Sequence, residues 1–334
     1  MYIYIMRNFI MSKESINKSN LKEKKVWGIF LPLVSTTNHQ VSETLQQWEY
    51  LNLRNGEKIW KNEVKEWAEE ACNDIIEKYW FSDNQWNIFK ERLSIKYNNT
   101  KTWWLRWTSY YWWTKITKDW TLRLPDCIIS LNPNLIENKK FYKAILIHEI
   151  DHWAFRLKKF FNSKLWHTNP SNRHEREIAA NEYNNLLNSA TYTFSTELLA
   201  RVDTSDILAS KNWEYSRDEI DRFGIWNEDE TTWEPGYTDG IKYAKKIFDF
   251  QKRLYNVVWN KFGRDSSKPK NKQLSKEAEE EFEDIMTHLR NIVFNCCIKS
   301  TEKVIDAVCD NFEKATKRDQ FKSSISRIYS DITR

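Results

Sequence analysis

Ala144-Ile145-Leu146-Ile147-His148-Glu149-Ile150-Asp151-His152 is the stretch that decides how this chain is read. An apolar run leads into an H-E-x-x-H pattern. On a helix, residues four apart project from the same face, so the imidazoles of His148 and His152 can reach one metal ion. Glu149 stands beside them, where a carboxylate can act as general base on a water activated by that ion. The chain has six histidines, and four of them (His148, His152, His167 and His174) fall in one short stretch. Histidines that follow a buried-looking run need a polar partner or a metal. The plainer alternative is an ordinary amphipathic helix with two surface histidines.

A catalytic zinc takes three protein ligands and keeps one position open, so a third ligand is required. Downstream, Glu175-Arg176-Glu177-Ile178-Ala179-Ala180-Asn181-Glu182-Tyr183 has the pattern of a second helix. Asn169-Pro170 suits its start, Asn as cap and Pro in the first turn. Glu177, Ala180 and Asn181 share one face, and a small residue at Ala180 allows close helix approach. Glu177 is therefore the expected third ligand, with Glu175 in reserve and His167 as the alternative. Glu182 reads as a solvated helix charge.

Taken together, Ile128-Ile129-Ser130-Leu131-Asn132-Pro133, the HEIDH helix, and Glu177-x-x-Ala180-Asn181-x-Tyr183-x-x-Leu186-Leu187 resemble the short gluzincin metallopeptidases, in particular the ImmA/IrrE-like group. The resemblance covers about residues 100 to 190 and lacks the methionine-proline that often closes the second helix in that group. A rival resemblance is to SprT-like DNA-associated proteases, which place a similar strand before HExxH but take a later histidine as ligand; His167 is suitably placed for that. Either resemblance implies an α+β fold: a small zincin-like core, a β-meander with active-site helices, here followed by a C-terminal α-helical module. It also implies that the strand before the metal helix edges the cleft, with Asp126 to Leu131 able to pair with an extended peptide.

The expected chemistry is zinc-dependent peptide hydrolysis. Zn2+ held by His148, His152 and Glu177 polarises a water, and Glu149 takes its proton and passes it to the leaving amine. The developing oxyanion needs a further donor, for which His174, His167 and Tyr183 are candidates. An intact Glu149 argues against a purely structural site or a non-catalytic scaffold, since neither uses a general base.

Composition adds a second anomaly: 18 tryptophans against 6 glycines. Several tryptophans stand where turns want glycine. Lys118-Asp119-Trp120-Thr121 separates two strand-like runs, where Asp-Gly would form a tight hairpin turn. One reading is that many are UGA codons which the source decodes as glycine. The other is a genuine aromatic surface, which would make Trp103 to Trp120 a binding patch. Trp153, directly after the second histidine, is expected to crowd the metal helix.

The 334 residues can hold two domains, or one with helical extensions. A net charge of +5 and a pI near 8.7 permit nucleic-acid contact without arguing for it, because both signs are mixed throughout. A mean hydropathy of -0.76 and the lack of a long apolar run give no reason to expect a membrane association. Five cysteines with no Cys-x-x-Cys pair suggest reduced thiols and a cytoplasmic setting.

Along the chain, residues 1–25 read as a disordered or extended N-terminus, with a strand at Val26 to Val34. Residues 26–98 read as the mostly helical first part of a catalytic domain, with Trp60, Val64, Trp67, Ala68 and Ala71 at helical spacing. Residues 99–200 form the metal-site core and 201–240 a polar loop or linker. Residues 241–334 form the helical module, broken at Gly263 to Asn271 and read as a scaffold or docking element for a protein partner. The substrate itself is expected to be a protein or peptide.

Overall fold

The computed structural model describes residues 50–97, 107–111, 115–116, 122–123, 126–132, 136–168, 172–210, 215–225, 236–262, 275–295, 303–307, 310, 327 and 330. All of them belong to one of the two units of the chain, Val34–Arg334. The expected disordered N-terminus, the Val26 to Val34 strand and the Trp120 turn lie outside the described residues.

The architecture is α+β and mostly helical. Two short strands, β1 (Tyr50–Asn52) and β2 (Lys58–Trp60), pair as an antiparallel hairpin. Helix α1 (Lys61–Tyr79) follows at once. The Trp60 backbone N–H donates to the Glu63 carboxylate at 2.8 Å, which satisfies one of the free donors of the first turn. Val64, Ala71, Cys72, Ile75 and Tyr79 form its buried stripe, at the spacing of one helix face. The helix stops at Trp80, whose φ of 53° and ψ of 53° are left-handed. Helix α2 (Asp83–Glu91) opens with a capping box between Ser82 and Gln85.

Strands β3 (Leu93–Tyr97), β4 (Trp107–Tyr111) and β7 (Cys127–Leu131) form a three-stranded sheet in the order β3-β7-β4. β7 pairs parallel to β3, Leu93 facing Cys127, and antiparallel to β4, Tyr111 facing Cys127. The short pair β5 (Lys115–Ile116) and β6 (Leu122–Arg123) lies between β4 and β7 in the chain. The strands do not form the expected meander: β4 skips β5 and β6 to pair with β7, and β3 adds an unanticipated parallel partner. A second expectation is corrected. β7, the strand before the metal helix, is paired on both sides, so its backbone donors and acceptors already sit in ladders. Among the described strands, the free edges of this sheet are β3 and β4.

Helix α3 (Lys139–Phe161) carries the H-E-x-x-H pattern. The Asn138 side chain caps it, accepting from the Phe141 N–H at 2.8 Å. From Phe141 to Leu157 every residue is buried except half-buried His152. A helix buried all round is a core helix, which removes the surface-helix alternative. α1, β7 and α6 pack around it. Trp153 does not crowd it. Its ring is fully buried, its N–H donates to the Phe89 carbonyl at 3.1 Å, and it stacks on Phe89.

A short helix α4 (Lys164–His167) leads to α5 (Arg173–Leu187) and then α6 (Ala190–Ser210). The second half of α6 and helix α7 (Arg217–Ile225) occupy much of the stretch expected as a polar loop or linker between 201 and 240. Helix α8 (Tyr237–Phe262) packs along α6, and α9 (Lys276–Asn295) packs on both. The stripe Ile285, Leu289, Ile292 and Val293 is buried, as its spacing predicts. Among the described residues, no helix is long and apolar enough to cross a membrane.

Candidate metal centre

Two neighbouring core helices, α3 and α6, build the site. His148 and His152 sit one turn apart on α3, and their Nε2 atoms approach to 2.9 Å. Glu197 reaches them from α6. Its Oε2 lies 3.7 Å from Nε2 of His148 and 3.3 Å from Nε2 of His152. Among the described residues, His148, His152 and Glu197 are the group of acidic, histidine and cysteine side chains able to close on one ion.

The spacing fits a metal. Zinc bonds of roughly 2.0–2.2 Å in tetrahedral geometry put ligand atoms roughly 3.3–3.6 Å apart. The observed separations bracket that value. The donor set also fits, because two imidazoles and one carboxylate are a common catalytic zinc combination with a fourth position left open.

α6 supplies more than the ligand. The Thr196 hydroxyl lies 2.8 Å from Nδ1 of His152. With Nε2 turned to the site, that Nδ1–H donates to the hydroxyl oxygen and fixes the tautomer. The backbone of Ala200 favours the protonated form of the His148 ring. One helix thus contributes the third ligand and a hydrogen-bond partner for His152.

Electrostatics agree with this arrangement. Burial, then the neighbouring His152, hold the His148 imidazole well below its usual range, so it is neutral and available as a ligand. Burial also works against charge on His152, but the hydrogen bond and charge of Glu197, with Glu149 and Asp151, outweigh it and raise its proton affinity. Burial pushes the Glu197 carboxyl up. Arg201, His148 and His152 together override that and hold it below the usual carboxylate range. Arg201 is fully buried, and its Nε donates to Glu197 Oε1 at 2.6 Å.

Glu149 is buried beside the pair, with its charge acting on His152 and on Cys127 of β7. Asp151 faces away from the site, into the core. It is fully buried and accepts a hydrogen bond from the Tyr79 hydroxyl at 3.1 Å.

The other expected site residues stand elsewhere. Glu177 is not in the cluster. It lies on the exposed face of α5, its carboxylate paired with Arg173 at 2.9 Å. The helix was legible, but its buried face runs through Arg176, Ala179, Ala180, Tyr183 and Leu187, which turns Glu177 outward. Glu175 is exposed as well, with its N–H capped by Asn172. His167 on α4 and His174 on α5 are both exposed and outside the cluster. Tyr183 is buried, but its hydroxyl donates to the Arg156 carbonyl at 3.1 Å. It holds α5 against α3.

Glu197 was missed, although the sequence carries a signal for it. It is the single charge in the run from Tyr183 to Ala200, otherwise apolar or neutral. A lone carboxylate in such a run needs a buried partner. No family model matches this chain, and no curated protein or solved structure matches it either.

Proposed function

We propose that the protein is a zinc-dependent metallopeptidase whose ligands are His148, His152 and Glu197. The observation that carries this reading is the buried triad at tetrahedral ligand spacing, with Glu149 beside it. A structural site of two histidines and one carboxylate would have no use for that second carboxylate.

The two histidines and Glu197 Oε2 would hold the ion, which when bound supplies Lewis acidity to a carbonyl and to water. Thr196 keeps the His152 imidazole aimed at it. Glu149 takes the proton from the attacking water and delivers it to the departing amine nitrogen. Burial of Glu149 strengthens both transfers by excluding bulk water. The zincin-like character of the core rests on this site and on the sheet beside α3. The substrate class, a protein or peptide, follows from the proposed chemistry.

Glu149→Gln is expected to keep about one zinc per chain and to lose cleavage of dye-labelled casein by at least about a hundredfold, the scale of general-base catalysis. Unchanged cleavage would refute the role of Glu149.

We also infer that residue 80 is glycine in the native host, read from a UGA codon. Trp80 is the one non-glycine residue at positive φ among the described residues, it ends a helix, and it is 67% exposed. That is the position where helices most often place glycine. Peptide mass spectrometry of native protein would show glycine at this position; tryptophan there would sink the idea.

A further inference from the structure

We infer that Arg201, held by Tyr237, is a positioning residue that keeps Glu197 a one-oxygen ligand and leaves room at the metal for water. The inference rests on the metal reading above and deepens it.

The two Glu197 oxygens are divided between different partners. Oε2 faces both imidazoles, and Oε1 accepts from Arg201 Nε at 2.6 Å. Glutamate four residues before arginine is the favourable order on a helix. Here the pair is fully buried, so neither group has water to fall back on.

The arginine is itself anchored from a second helix. Its Nη2 donates to the Tyr237 hydroxyl at 3.3 Å, and its guanidinium lies over the Tyr237 ring, 5.9 Å from the centroid. Tyr237 opens α8. In the same turn Gly240 packs against Glu197, where an added Cβ would come within 3.0 Å of the glutamate Cβ. Glu197 is thus pressed from one side by backbone and gripped at one oxygen by a cation.

A carboxylate free to rotate can bind an ion through both oxygens. That fills the position a catalytic metal keeps for water. With Oε1 engaged, only Oε2 is available. The fork of Arg201 serves both partners, Glu197 and Tyr237. A lysine would keep the charge but lose the fork.

The test is titration of the full chain with Co2+, reading affinity and the visible absorption bands, which are intense for four ligands and weak for five or six. Wild type is expected to give intense bands. Folded Arg201→Gln is expected to bind Co2+ about 10–100-fold more weakly, with weakened bands. Arg201→Lys should fall between, and Tyr237→Phe should weaken binding by a smaller factor. Affinity and bands unchanged in folded Arg201→Gln would overturn the inference while leaving the metal reading intact. If that variant does not fold, wild-type behaviour of both Arg201→Lys and Tyr237→Phe overturns it. Wild-type protein that takes up no Co2+ overturns the metal reading, and this inference with it.

Discussion

Glu197 and Glu177 show what decides a ligand at the scale of the residue. Both are helical glutamates downstream of His152; the face pattern points to Glu177, whereas Glu197 is marked only as the lone charge of an otherwise neutral run. Glu197 has its desolvation offset by Arg201 and two imidazoles, whereas Glu177 pairs with Arg173 in solvent. The difference is which face of a helix meets the core, and a shift of one residue turns that face by about 100°. The tryptophans divide in the same way. Trp80 stands in a left-handed conformation that costs a residue with a Cβ about 1–2 kcal/mol. Trp80→Gly is expected to stabilise the protein by about 1 kcal/mol in urea unfolding. Trp153→Ala, by contrast, empties a fully buried site and orphans the Phe89 carbonyl; about 3–5 kcal/mol should be lost. Equal effects from the two would contradict their assigned environments.

Elements were legible in proportion to how local their determinants are. The metal helix, the strand before it and the C-terminal stripe all follow from periodicity and composition within a short window. The parallel pairing of β3 with β7 does not, because nothing in Leu93–Tyr97 names its partner some thirty residues on. The role of α6 was hidden for a related reason. Its faces are nearly all buried, so it has little amphipathic contrast, and its position beside α3 is a tertiary fact. That position gives α6 three contacts with the histidine pair. Thr196→Val removes one of them while keeping shape. Zinc affinity is expected to fall about 10–100-fold with little change in stability, measurable by chelator competition. Unaltered affinity would mean that the hydroxyl does not orient His152.

The whole molecule is braced through a buried ionic network behind the site. Arg290 on α9 makes a paired contact with Asp203 of α6 at 2.8–3.1 Å and donates to the Lys78 carbonyl at 2.8 Å. Its guanidinium also lies over the ring of Tyr79, 4.2 Å from the centroid. Lys78 reaches Asp203 and Asp206. Burial, then the charge of Asp203, push the Asp151 carboxyl well above its usual range, so it keeps its proton. With Asp151 neutral, two aspartates balance two cations. Helices from opposite ends of the described chain thus meet around Asp203 and Asp151, the chain neighbour of His152. Removing one member leaves a buried charge unpaired, so Arg290→Ala is expected to cost about 3–5 kcal/mol of stability by urea unfolding. A cost below about 1 kcal/mol would show that the C-terminal helix is not part of the brace.

Metal stoichiometry across two variants tests the central claim most directly. Wild type and Glu177→Ala are each expected to bind about one zinc per chain, as a three-ligand site requires, while Glu197→Ala binds none at equal concentration. Zinc retained by folded Glu197→Ala, or lost from Glu177→Ala, would contradict the account.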